Sequence, residues 1–361
     1  MTVACWLRPM AASIVQLFQA TIIFATFCNA RGLLLSTRFD LSTKGCSTGS
    51  DDSKHNHIVA CARHDFHKRI VALGDLHGDF DSMLRVLHVA GLINNELQWS
   101  GGDAMLVQLG DVLDRGNRER DCWDLMQQLK AEAPLSGGRV LCLLGNHEVM
   151  NVLGKAEAFI HANGHTAFGP DRVAAWSPGG ELATKLADCP VVAIVGDSAF
   201  VHATLPAHAT RESIERLNAD TRQWLLGLRQ QPPADLFPGN GSPLWDRSLS
   251  LPSGVEPHAS DCTTLRATLD RLGVSRLVVG HTPQRRLNCA CGGAVWRCDT
   301  GISRWVAGGS CEALEITAGS VHILQQEDTL PIKNRKPALS VAPLAECSDT
   351  GCSDLYVSDM L

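Results

Sequence analysis

Five apolar runs in this chain end directly in side chains that can bind metal or carry a proton. The run at Ile70–Leu73 stops at Gly-Asp-x-His-Gly-Asp, which supplies Asp75, His77 and Asp79. The run 104–110 opens into "GDVLDRG", with Asp111, Asp114 and Arg115. The run 139–145 opens into "GNHE", with Asn146, His147 and Glu148. Two later runs end at His202 ("SAFVHA") and His281 ("RLVVGHT"). One Gly-Asp is a turn, and one His behind a strand is most often a satisfied core residue. Five such endings in order are not explained by turn chemistry. Carboxylates held in partly buried turns are costly unless a counter-charge neutralises them.

The residue types indicate that counter-charge. Asp75, His77, Asp111, Asn146, His202 and His281 offer three oxygen side chains and three imidazoles. This mixture suits Mn²⁺, Fe²⁺ or Zn²⁺, whereas Ca²⁺ takes oxygens. Six protein ligands are too many for one ion that must also hold water and substrate. They suit two ions, with Asp111 central in the order and able to bridge. Two ions about 3.5–4 Å apart can share a hydroxide and clamp both oxygens of an in-line displacement at phosphorus.

The elements around these residues read as strand, polar turn and helix in alternation. Helical spacing is present over 80–92, with Met83, Leu84, Leu87 and Val86 or Ala90 inward, and over 119–132, with Cys122, Trp123, Leu125, Met126 and Leu129 inward. This is an α/β pattern with ligands at strand C-termini, where such folds bind them. Residues 151–190 and 205–260 carry helices and Pro/Gly-rich loops, and are expected to form a cap or groove wall. Residues 294–324 return to strand patterns in "AVWRC", "EALEI" and "VHIL". Gly-His-Thr occurs twice. The copy at 164–166 follows "AFIHAN", a helix-like run closed by Asn-Gly, and the copy at 280–282 follows the β-branched "SRLVV". Strand context therefore assigns the ligand to His281 and not to His165.

Taken together, these motifs resemble the metallophosphoesterase superfamily and its PPP-type phosphoprotein phosphatases. "AGLINNELQWSGGDAMLVQLGDVLDRG" (90–116), "GNHEVMNVLG" (145–154) and "PLWDRSL" (243–249) are most similar to the Shewanella-like protein phosphatases, and the signature spans 69–282. The resemblance implies an αββα fold, a two-sheet β-sandwich flanked by helices with a dinuclear metal site at the strand ends. It implies Asp75 and His77 on a first metal, Asp111 as the bridge, and Asn146, His202 and His281 on a second. His147 is then the general acid, held by Asp114, and Arg115 and Arg247 are phosphate clamps, since a guanidinium fork meets two phosphate oxygens. The implied cofactor is a pair of divalent ions, Mn with Fe or Zn as alternatives. The implied reaction is phosphomonoester hydrolysis on protein Ser/Thr or Tyr. A symmetric dinucleoside-polyphosphate hydrolase shares the motif set, and a non-catalytic scaffold on the same fold is the reading from another class. One departure stands out: the family's His-Gly-Gly is His202-Ala203-Thr204 here.

The totals narrow the partners. The chain has 361 residues, 45% hydrophobic and 19% charged, with a net charge of −6. An acidic balance with no Lys/Arg-rich run argues against a nucleic-acid partner. Residues 10–30 form an apolar run behind Arg8, read as a signal peptide cut near Arg31 or an uncleaved signal anchor. This predicts a secretory or other membrane-bounded location, with organellar targeting as runner-up and membrane contact only if the segment is retained. Residues 31–66 read as a linker whose histidines (His55, His57, His64; His67 just beyond) are solvated, 67–330 as the catalytic domain, and 331–361 as a flexible tail. The 14 cysteines are expected to be mostly buried thiols, with the remainder in disulfides.

Overall fold

The computed structural model describes residues 69–318, 320–325 and 340–342. The expected leader and linker, with their histidines, lie outside the described residues, as does most of the expected tail. Of that tail, Ser340–Ala342 forms a strand against Ser320–Gln325.

Three parallel strands carry the first three motifs: β1 (Arg69–Leu73), β2 (Met105–Gln108) and β3 (Arg139–Cys142). The helices between them are α1 (Phe80–Val89) and α2 (Glu119–Glu132). Both begin at their expected starts, and α2 buries its expected face; in α1 Met83, Val86 and Leu87 are buried, as is Ala90 behind it, whereas Leu84, also expected inward, is only partly buried. After β3 come α3 (Asn146–Val152), α4 (Gly164–Ala167), α5 (Arg172–Trp176) and α6 (Glu181–Leu186). A second sheet is built by β4 (Val192–Val195), β5 (Ser198–Val201), β6 (Arg276–Val279), β7 (Asn288–Ala290) and β8 (Val295–Arg297). Helices α7 (Arg211–Leu225) and α8 (Ala259–Leu272) separate β5 from β6. The chain then returns to the first sheet through β9 (Glu312–Thr317), β10 (Ser320–Gln325) and β11 (Ser340–Ala342). The sheet orders are β11-β10-β9-β1-β2-β3 and β4-β5-β6-β8-β7.

Strand alternation explains why the two sheets pack. Ile70 and Ala72 on β1, Met105 and Val107 on β2, and Leu314 and Ile316 on β9 share one face. That face joins Ala193, Val195, Phe200, Val278 and Trp296 of the second sheet in one buried cluster. Each large apolar side chain fully buried there contributes about 1.5–3 kcal/mol. The opposite residues, such as Val71, Leu73 and Leu106, pack in the cluster that holds Met83, Leu87, Trp123 and Met126 from the helices. The result is helix, sheet, sheet and helix in layers. Since β1, β2 and β3 are mutually parallel, and β5, β6 and β8 likewise, each set delivers its C-terminal loops to one end of its sheet.

Among the described residues, Cys122, Cys142, Cys189 and Cys298 are buried free thiols. Cys262 and Cys291 form a disulfide that ties α8 to the turn after β7.

Candidate active site

The loops after β1 and β2 are interlocked. Leu76 N and His77 N both donate to Asp111 O, at 2.9 Å each, and Gly78 N donates to Val112 O at 2.9 Å. Five of the expected site residues sit at positive φ: His77 (43°), Asp111 (56°), Asp114 (65°), Arg115 (62°) and His281 (69°). Each such non-glycine conformation costs on the order of 1–3 kcal/mol, and such strain gathers at functional sites. Gly145 is required by this packing, because a Cβ there would lie 2.1 Å from Asp111 Oδ1. Glu148 secures the same corner: its carboxylate accepts from Asp111 N (2.8 Å), Val112 N (2.9 Å) and Gly145 N (2.9 Å).

Asp111 is the hub. Its Oδ1 accepts from His147 N at 2.9 Å, at the start of α3. Its Oδ2 faces His77 Nε2 at 3.6 Å, His202 Nε2 at 3.4 Å and His147 Nε2 at 4.0 Å. Asp75 lies on the other side, with Oδ2 3.9 Å from His77 Nε2 and Oδ1 accepting from His281 N at 3.1 Å. Asn146 Oδ1 is 2.9 Å from His202 Nε2, which is 3.1 Å from His281 Nδ1. All six expected ligands therefore converge. The ligand atoms of His77, Asp111 and His147 lie within 4.8 Å of one another, as do those of Asp111, His202 and His281, so the two groups share Asp111.

The imidazoles are oriented from behind. His77 Nδ1 is 3.0 Å from Leu113 O, His202 Nδ1 is 2.8 Å from Leu109 O, and His281 Nε2 is 3.2 Å from Trp245 O. A carbonyl can only accept, so each outward nitrogen donates, and in the neutral ring each inward nitrogen presents a lone pair, the arrangement of metal-ligating histidines. With His202 neutral, its Nε2, His281 Nδ1 and Asn146 Oδ1 would be three acceptors facing one another, which a cation between them would satisfy. The electrostatics differ from ring to ring. Burial, with the charge of His147 next, lowers His77 to about 3, and burial with His202 lowers His281 well below its usual range, so both favour the neutral ligand form. Burial would also lower His202, but Asp111 and Asp75 override it and raise it to about 10, so the site favours positive charge there. Burial would raise Asp111, but His202 and His147 hold it well below the carboxylate range.

His147 differs from the other three. Its Nδ1 is bound to Asp114 Oδ2 at 2.7 Å, a carboxylate with no solvent exposure, and its Nε2 turns toward the cluster. The ring of Phe159 packs edge-on against it, with centroids 5.1 Å apart. Arg115 lies over the same Phe159 ring at 5.3 Å, its Nε buried without a protein partner. Arg247 stands at the His281 end, where its Nη1 donates to His281 O and Thr282 Oγ1, both at 3.0 Å.

His165 is an exposed residue of α4, apart from both ligand groups. Its surroundings differ from the expectation in detail. The run before it is a 3₁₀ turn, Glu157–Phe159, and Asn163 precedes α4 instead of closing a longer helix. The substitution of Ala203 for glycine leaves His202 fully buried and in place, with Ala203 N donating to Pro243 O at 2.8 Å. Asp79 belongs to a different arrangement from Asp75 and His77. It caps α1 through Ser82 N (3.2 Å) and accepts from Arg304 Nη2 (2.9 Å).

Asp299 is a site residue absent from the sequence-based set. It is 2% exposed behind β8, and burial raises its carboxyl to about 6. Its charge also raises Asp75, behind the effect of burial. "VWRCD" repeats the signal of an apolar run ended by an acid, so it was findable. Trp245, whose carbonyl orients His281, has no such signal.

The family model described as calcineurin-like phosphoesterase matches residues 68–285. Shewanella-like protein phosphatase 2 of Arabidopsis thaliana is 33% identical over 335 residues, covering 79% of this chain and 84% of that protein. Shewanella-like protein phosphatase 1 of Plasmodium berghei is 29% identical over 249 residues, covering 65% of this chain and 67% of its own. Among solved structures, a cold-active protein-tyrosine phosphatase of a psychrophilic Shewanella species shares the fold, with a TM-score of 0.57 and 24% identity over 72% of this chain and 81% of that one.

Proposed function

This chain belongs to the calcineurin-like phosphoesterase family and is a metal-dependent phosphoester hydrolase, and on that premise we propose a phosphoprotein phosphatase with the following division of labour. Asp75, His77 and Asp111 would hold one divalent ion, and Asp111, Asn146, His202 and His281 a second. The mixed N/O donor set and the facing imidazole lone pairs fit such ions, with Mn²⁺ the best match and Fe²⁺ or Zn²⁺ as alternatives. When bound, the pair supplies positive charge at the phosphoryl oxygens and makes the attacking water more acidic.

His147 Nε2 donates a proton to the leaving oxygen, while Asp114 holds the opposite nitrogen and so fixes the ring. Arg115, over the Phe159 ring beside His147, and Arg247, at His281, bind phosphate oxygens. Asp246 supports the Arg247 loop by accepting from Ser248 N at 2.7 Å. The segments 151–190 and 205–260 supply the groove wall, since Phe159, Trp245 and Arg247 come from them. Phe159 beside His147 favours an aromatic leaving group, hence phosphotyrosine over phosphoserine.

One observation carries this reading: a buried His–Asp pair whose free imidazole nitrogen faces a six-ligand cluster centred on one carboxylate. Purified protein should turn over a phosphotyrosine peptide faster than the matched phosphoserine peptide, and a dinucleoside tetraphosphate slowest. Preference for the dinucleotide would replace the phosphoprotein reading with the polyphosphate one. No turnover of any of the three in metal-replete protein would support a scaffold.

A further inference from the structure

Behind the His147–Asp114 pair lies a buried ion cluster that the mechanism above does not use. Its centre is Arg172, the first residue of α5, 7% exposed. Arg172 pairs with Glu119 in a fork: Nη1 donates to Oε1, and Nη2 to Oε2 at 3.1 Å. Nη2 also donates to Asp114 Oδ1 at 3.2 Å and to Asn151 Oδ1 at 2.8 Å. Nη1 reaches Gly164 O at 2.8 Å, and Phe168 covers the guanidinium at 5.1 Å. Asn151 Nδ2 donates to both oxygens of Asp114 at 3.0 Å each. Glu119 Oε2 also accepts from Asp114 N at 2.9 Å.

The orientation of Asp114 follows from these bonds. A carboxylate held at one oxygen can rotate about its Cβ–Cγ bond. Here Asn151 spans both oxygens while Arg172 holds Oδ1 alone, so Oδ2 is left directed at His147 Nδ1. Glu119 is needed for the same result. Guanidinium prefers a bidentate carboxylate. With Glu119 occupying the fork, only Nη2 is left to Asp114, through Oδ1 alone. Without Glu119, Arg172 could take both Asp114 oxygens and draw Oδ2 away from the imidazole. The packing leaves little slack: a Cβ on Gly164 would fall 2.5 Å from Glu119 Oε1.

We infer that Arg172, with Glu119 as its counter-ion, is a positioning residue for proton donation. It fixes Asp114 so that Oδ2 meets His147, and it makes the segment Gly164–Trp176 part of the apparatus that cleaves the ester. This rests on His147 being the proton donor.

The test compares phenyl phosphate with 4-nitrophenyl phosphate, substrates of similar shape whose leaving groups differ in their need for a proton. Arg172→Lys keeps the charge and loses the fork. It should lower kcat on phenyl phosphate by about 10–100-fold with KM nearly unchanged, as for other residues that orient a functional side chain. On 4-nitrophenyl phosphate the loss should be no more than a few-fold. Glu119→Gln should give the same pattern more weakly, and it carries the comparison if Arg172→Lys does not fold. In an Asp114→Asn background neither change should lower kcat further, since the group they position is already altered. Equal losses on both substrates, or full additivity with Asp114→Asn, would overturn the inference and leave Arg172 a purely structural residue. His147→Asn, run in parallel, tells the two failures apart. If it shows the leaving-group pattern and Arg172→Lys does not, only the positioning inference fails. If it does not, the proton-donor reading fails and the inference with it.

Discussion

Asp111→Asn is expected to lower turnover by more than ~100-fold, beyond what is typical for altering a residue that only orients a ligand. The reason is geometric. Asp111 Oδ2 faces His77, His147 and His202 together, and the two groups of ligand atoms have this residue in common. An amide keeps the size and retains an oxygen, but it removes the negative charge that both ions would share. Metal content should therefore fall at both positions, whereas His281→Ala should affect one. The fold should persist, because Oδ1 acts through a single bond to His147 N and Glu148 holds the same corner independently. Elemental analysis alongside steady-state kinetics checks both parts. Two ions per chain with near-normal turnover in Asp111→Asn would remove this residue from the bridge.

His147→Asn should retain metal and fold yet lose roughly 10²–10⁴-fold in turnover of phenyl phosphate, the range for general acid catalysis. Its Nδ1 is occupied by Asp114 at 2.7 Å, so Nε2 is the nitrogen that can reach substrate. Asparagine fills part of the space and cannot donate a proton as an acid. The loss should shrink markedly for 4-nitrophenyl phosphate, whose leaving group departs without protonation. A loss of equal size on both substrates would make His147 a group that positions substrate instead.

Much of this site was legible in the sequence because each ligand lies at a strand end. A run of alternating or continuous apolar residues indicates a strand, and the polar residues behind it must emerge at one edge of the sheet. That reasoning separates His281 from His165, and the structure places the first in the cluster and the second on an exposed helical turn. It also covers Asp299, which follows β8 in the same manner. It cannot reach residues whose role depends on how distant loops pack. Asp79 sits in the same motif as Asp75 but points to Arg304, 225 positions away, and nothing local distinguishes the two. Arg172 and Glu119 are 53 positions apart and meet only because α4 and α5 fold back over the start of α2. Phe159 and Trp245 come from segments with little periodicity, so their contacts with His147 and His281 required the structure. In the fold itself, the return of β9 beside β1 was the hidden step. "EALEI" reads as a strand, but its antiparallel pairing across the whole domain has no sequence signature.

If two ions held by this cluster are needed for hydrolysis, metal content and turnover must rise together in the same samples. Protein stripped by prolonged chelation is reconstituted stepwise with Mn²⁺, and each step is analysed for metal per chain and for phosphate release from a phosphotyrosine peptide. The predicted result is no turnover in the stripped protein and recovery as content rises to two ions per chain. Full turnover by protein shown to be metal-free would contradict it.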